Sequence, residues 1–217
     1  MHRSGTSALA GSLEQRGLFL GTVSTENPHN AKGNREDTEL RRLNEHVLQS
    51  SGGTWSAPPA TVEWQAEHLE RARLMIAQHA GRPVWGFKDP RTLLTLDGWV
   101  TLVPDLELVG VFRHPSRVAR SLATRNGIDR EAAVALWGAY NSRLRALLDR
   151  RPFPLLCFDD EPFVLERKLA EIARALKLRG EVQGEPFFAP TLRDDQPIEE
   201  AIPDAQRLYE DLRSRAL

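Results

Sequence analysis

A chain of 217 residues with 41% hydrophobic content can bury a substantial core, and it fits one domain spanning 1–217 with room for a small subdomain. Its 29 Lys and Arg nearly balance its 30 Asp and Glu, so no bulk field points to nucleic acid or an anionic membrane, and any anion site must be local. The single cysteine, Cys157, excludes an intrachain disulfide and a cysteine metal cage and suits a reducing, cytoplasmic setting, while no apolar run reaches the roughly 18 residues of a membrane span.

The chain opens on "MHRSGTSALAGSL", a polar cluster around Gly5 that runs into a helical pattern, "TSALAGSLEQRG", closing at Gly17. "LFLGTVSTENPHNAKGN" is rich in Pro, Asn and Gly and reads as a long loop. A helix is predicted over "REDTELRRLNEHVLQ", ending at "SSGG", and after the break "TWSAPPAT" a long amphipathic helix covers "VEWQAEHLERARLMIAQHAG". The pattern then alternates. "PVWGFK" is a short strand, "PRTLLTLDGWVTLV" a helix, "LELVGVFR" a stronger strand, and "PSRVARSLATRNG" a helix with Pro115 in its first turn and Gly127 after it. "DREAAVALWGAYNSRLRALLDR" is helical, "FPLLCF" a third strand and "EPFVLERKLAEIARALKL" a further helix. The tail, 180–217, is irregular up to a final polar helix near "DAQRLYEDLRSRAL".

Strands alternating with helices imply an α/β fold, a three-layer parallel sheet flanked by helices. A strand normally leads into a loop like the opening one and lies centrally in such a sheet. It is missing here, so a short apolar strand upstream of Met1 is expected.

Ligands of α/β sheets bind beyond the carboxyl ends of the strands, which directs attention to three polar clusters. In "HRSGTS", Arg3, Ser4, Gly5, Thr6 and Ser7 combine a cation, hydroxyls, a glycine and a helix start, the ingredients of an anion loop; the plainer reading makes Ser4 or Thr6 a helix cap. In "RHPSRVARS", Arg113 stands at a strand end and Ser121 two helical turns later, so a second anion could be held between them; alternatively Arg117, Arg120 and Arg125 mark a solvated basic helix. In "KDPRT", Lys88 is read as facing the site and Asp89 as structural, capping the helix that begins at Pro90. Trp64, Trp99 and Trp137 lie in apolar helical patterns and are expected in the core, whereas Trp55 anchors a loop. The six histidines show no metal-ligand spacing, and no metal is expected.

Together, "HRSGTSALAGSL" and "VFRHPSRVARSL" resemble the 5′-phosphosulfate loop and the 3′-phosphate segment of sulfotransferases that use 3′-phosphoadenosine-5′-phosphosulfate (PAPS). "NAKGNREDTELRRLNE" and "WGFKDPRTLLTLDGW" are similar to stretches of the bacterial-type members, and the likeness extends to about residue 160. The resemblance implies a P-loop-like fold and PAPS as co-substrate. It places Arg3 on the sulfuryl group and leaving phosphate, Ser4, Gly5, Thr6 and Ser7 around that phosphate, and Arg113 and Ser121 on the 3′-phosphate. It also implies a general base after the first helix, Glu36 or its rival Asp37. Lys88, from its strand-end position in "KDPRT", is read as a further catalytic cation. The first-turn alternative makes both acids helix-dipole partners. Residues 22–80 would form the acceptor side, and the acceptor would be a glycan or a small molecule. Two rivals stand beside this reading. A P-loop kinase needs Lys after the second Gly of its signature, where Thr6 follows Gly5 here. A truncated, non-catalytic nucleotide-binding or interaction protein is the other.

Overall fold

The computed structural model describes residues 1–26, 32–188 and 202–217. Parts of the expected long loop (27–31) and of the irregular tail (189–201) lie outside the described residues. In chain order the elements are α1 (Thr6–Glu14), α2 (Thr38–Ser50), α3 (Ala66–Ala77), α4 (Thr92–Leu102), β1 (Gly110–Phe112), α5 (Pro115–Asn126), α6 (Arg130–Arg150), β2 (Leu155–Cys157), α7 (Pro162–Ala175) and α8 (Pro203–Arg215). The architecture is α/β and mostly helical, and no helix among the described residues is long and apolar enough to cross a membrane.

The chain divides into two compact units, one formed by 1–17 with 108–217 and the other by 18–107. In the first unit β1 and β2 pair in parallel, with Gly110 opposite Leu155, Val111 opposite Leu156 and Phe112 opposite Cys157. The Phe158 N–H donates to the Phe112 carbonyl at 2.8 Å, carrying the ladder one step past the named strand. Phe112, Leu155, Leu156 and Cys157 are all buried, as expected of a parallel pair covered on both faces. Helices supply that cover. α5 contributes Val118 and Leu122, α6 Trp137 and Tyr140, α7 Leu169 and Ile172, and α8 Tyr209 and Leu212. The α5 start is set by its sequence. His114 caps it, its Nδ1 accepting from the Ser116 N–H, Pro115 occupies the first turn, and Gly127 closes it in the left-handed conformation at φ 65°.

The second unit packs α2, α3 and α4 around Leu40, Leu43, Val47, Ala72 and Trp99. Trp64 lies edge-on to Trp99, ring centroids 5.5 Å apart, and its Nε1 donates to the Thr95 carbonyl at 3.1 Å. The expected strand "PVWGFK" is reduced to one parallel bridge between Phe19 and Trp85. The run is short and interrupted by Gly86. Its aromatic rings find partners outside any sheet, Trp85 on His79 at 4.8 Å and Phe87 on Trp99 at 4.7 Å. Similarly, only 110–112 of "LELVGVFR" is strand, because Leu106 is already tied into a turn by its N–H to the Val103 carbonyl. Among the described residues the sheet therefore has two strands, where the alternating pattern predicts three.

Candidate functional site

The opening loop holds two successive left-handed kinks, Arg3 at φ 65° and Gly5 at φ 89°. Gly5 occupies the N-cap position of α1, so neither Ser4 nor Thr6 caps the helix, and its first turn carries no acidic residue. The leading N–H groups of α1 thus keep the partial positive charge of a helix start. Ser4 is fully buried and its hydroxyl makes no hydrogen bond among the described residues. Gly5 is required for a second reason: a Cβ there would overlap the Phe158 ring, which lies directly beneath the loop.

Arg3 reaches from this loop to α5, its Nε donating to Ser121 Oγ at 2.7 Å across 118 positions of sequence. Burial, together with the charges of Arg125 and Arg113, lowers its guanidinium to about 10. Burial is the larger cause, and the two neighbouring guanidinium groups add to it. Arg113, at the carboxyl end of β1, is 6% exposed. Its guanidinium stands 5.4 Å over the Phe158 ring and 3.8 Å from Asp159 Oδ1, and its carbonyl accepts from Trp137 Nε1 at 2.9 Å. Arg3, Arg113 and Ser121 are therefore brought together by the loop, the strand end and the second turn of α5. Ser4, Thr6 and Ser7 follow Arg3 on the loop and the start of α1.

The second unit contains the other predicted residues. Lys88 Nζ donates to Glu36 Oε1 at 2.6 Å and to the Asn34 carbonyl at 2.9 Å, in a nearly buried pair. Burial pushes the Lys88 ammonium below its ordinary value, opposed by Glu36 and then Asp89. Asp37 is committed elsewhere: its Oδ1 accepts from the Leu40 N–H at 2.9 Å as the N-cap of α2. Asp89 is a buried brace. Its Oδ1 accepts from the Arg91 N–H and from Arg91 Nη1, and its Oδ2 from Asn44 Nδ2. A cavity of about 230 Å³ opens in the same unit. Leu40, Trp99 and Phe87 line it beside Trp85 and His79, with Asp37, Glu39 and Arg71 among its charged members.

Three features escaped the sequence reading. Asn44 is a buried hub between α2 and α4, bonded to Asp89, Thr92, Thr95 and Trp99. Asp159 and Phe158 follow β2 in "CFDDEP", a polar strand end of the same kind as the other three clusters. His46, Glu67 and His68 bring three ligand-type atoms within 4.8 Å of one another from two helices, a grouping that linear spacing hides. The donor chemistry there does not fit a metal. His68 Nδ1 accepts from the Gln65 N–H at 3.1 Å, so a neutral ring carries its proton on Nε2, whereas a ligating imidazole must offer one nitrogen to the metal and donate from the other.

Compared with protein-family models, curated proteins and solved structures, the chain gives no match.

Proposed function

We propose that the chain is a PAPS-dependent sulfotransferase of P-loop-like, three-layer α/β type, acting on a hydroxyl or amine of a glycan or small molecule. The observation that carries this reading is the bond from Arg3 to Ser121, which draws two sequence-distant segments into one cationic, largely buried site with Arg113 and Arg125. The donor has two separated anionic groups, and two anion-suited segments meet here. The α1 start and Arg3 take the 5′-phosphosulfate; Arg113 and Ser121 take the 3′-phosphate. Until donor arrives, Ser121 holds Arg3 in place, and the donor oxygens replace that hydroxyl.

Catalysis rests on positioning and on neutralising charge at the leaving oxygen, as in phosphoryl transfer. The acceptor oxygen bonds to sulfur, the bond from sulfur to the 5′-phosphate oxygen breaks, and adenosine 3′,5′-bisphosphate leaves. Glu36 takes the acceptor proton, with Lys88 as its counter-ion.

The kinase alternative is disfavoured by the same geometry. Its magnesium requires a carboxylate available at a strand end. Here both oxygens of Asp160 accept from cations, Lys168 at 2.6 Å and Arg213 at 2.5 Å, while Asp159 faces Arg113 and Arg117.

Replacing Glu36 with Gln tests the base assignment. Turnover is expected to fall about 100-fold or more, as for loss of a general base, with bisphosphate affinity unchanged within twofold. Normal turnover in E36Q would transfer the role to another residue.

A further inference from the structure

Two adjacent aspartates end β2, and they are treated differently. Asp160 is matched, each carboxylate oxygen accepting a short bond from one cation. Asp159 is matched on one side only. Its Oδ2 accepts from the His114 N–H at 2.6 Å, from Tyr209 Oη at 3.3 Å and weakly from Cys157 Sγ at 3.9 Å, which fixes the carboxylate firmly. Its Oδ1 makes no hydrogen bond and faces two guanidinium groups at longer range, Arg117 Nη1 at 3.5 Å and Arg113 Nε at 3.8 Å. The Asp159 side chain is 6% exposed.

Neighbouring groups keep Asp159 in this role. Burial, then the Cys157 bond and the charge of Asp159, raise the Tyr209 phenol, and burial raises the Cys157 thiol, so both remain neutral donors. One carboxylate therefore serves two cations without bonding either fully. Arg117 Nε and Nη1 are buried and lack an acceptor among the described residues. This is the arrangement of a resident counter-ion: close enough to keep the arginines aimed, with no hydrogen bond to Asp159 Oδ1 from either.

We propose that Asp159 is a positioning residue that acts as the built-in counter-ion of the donor site, pre-aiming Arg113 and Arg117 and weakening the hold on the bisphosphate product by like-charge repulsion. The proposal rests on the donor-site reading above and adds Arg117 as a phosphate ligand. Its consequence is faster product release at the cost of tighter binding, a balance relevant wherever release limits turnover.

The sign of the effect separates this role from a merely structural one. Asp159→Asn keeps an oxygen for the His114 N–H but removes the charge. Calorimetry with adenosine 3′,5′-bisphosphate is expected to show about tenfold tighter binding than wild type, with a steeper loss on adding salt. Equal or weaker binding by folded D159N would overturn the proposal, because a lost brace can only weaken the site. Arg117→Gln supplies the check that does not depend on D159N folding. It should weaken bisphosphate binding about tenfold, and an affinity within twofold of wild type would equally overturn the proposal. Wild-type protein that binds no bisphosphate would overturn the donor-site reading itself and this inference with it, whereas wild-type binding with the wrong variant order removes only the inference.

Discussion

Replacing Arg3 with Met is expected to lower sulfuryl transfer about a thousandfold while raising the unfolding temperature by roughly 3–6 °C. The two changes have one cause. Burial and the charges of Arg125 and Arg113 lower Arg3 to about 10, so at neutral pH its charged form is less favourable folded than unfolded. The penalty is present throughout the neutral range and is relieved only as pH rises through that folded value. Met fills the space of the side-chain stem and removes the charge, which should stabilise the protein by about 1–2 kcal/mol even after the Ser121 bond is lost. On the proposed sulfotransferase reading, catalysis loses the cation that would neutralise the leaving phosphate. Added bisphosphate should then raise the melting temperature of wild type far more than that of R3M. A variant that is less stable than wild type, yet binds bisphosphate normally, would show Arg3 to be a structural residue.

Asn44→Ala should be the most destabilising single change in the second unit, at about 3–5 kcal/mol. Asn44 is fully buried and serves four partners. Its Nδ2 donates to Asp89 Oδ2 at 3.0 Å and to Thr92 Oγ1 at 3.3 Å, and its Oδ1 accepts from Thr95 Oγ1 at 2.8 Å and Trp99 Nε1 at 3.0 Å. Truncation would leave an indole N–H, a hydroxyl and one carboxylate oxygen buried without those bonds. Asp89 retains Arg91, which limits the damage below that of an isolated buried charge. Four of the five tryptophans, Trp55, Trp64, Trp85 and Trp99, lie in the second unit, so denaturation followed by tryptophan fluorescence in a Trp137→Phe background reads this unit. A loss under about 1 kcal/mol would mean that the network is not the tie between α2 and α4.

Helices were legible in the sequence because their signals are local. Pro115 and Gly127 bracket α5, and the apolar spacing of "VEWQAEHLERARLMIAQHAG" finds α3, overrunning Ala66–Ala77 by about one turn at each end. Strands were less legible. "PVWGFK" has strand composition, but whether it pairs depends on neighbours that no local window contains, and stacking of Trp85 and Phe87 prevails. The same division holds for the candidate site. Arg3, Arg113 and Ser121 could be named from their strand-end and loop positions, while their meeting through one 2.7 Å bond is tertiary. The alternative of Ser4 or Thr6 as helix cap was settled by a backbone kink at Gly5, whose surroundings are shaped by Phe158, distant in sequence. Asn44 and Asp159 were invisible for the opposite reason. Each is a common polar residue, and its importance is the number of groups that converge on it in the fold.

We propose that the Arg3, Arg113 and Ser121 cluster takes a nucleotide with phosphates at both the 3′ and 5′ positions. Calorimetry with adenosine 3′,5′-bisphosphate and with ATP, each with and without magnesium, tests it most directly. The account predicts micromolar or tighter bisphosphate binding that is indifferent to magnesium and at least about tenfold stronger than ATP binding, from the loss of one charged 3′-phosphate contact. Magnesium-dependent ATP binding, with no measurable affinity for the bisphosphate, would contradict it.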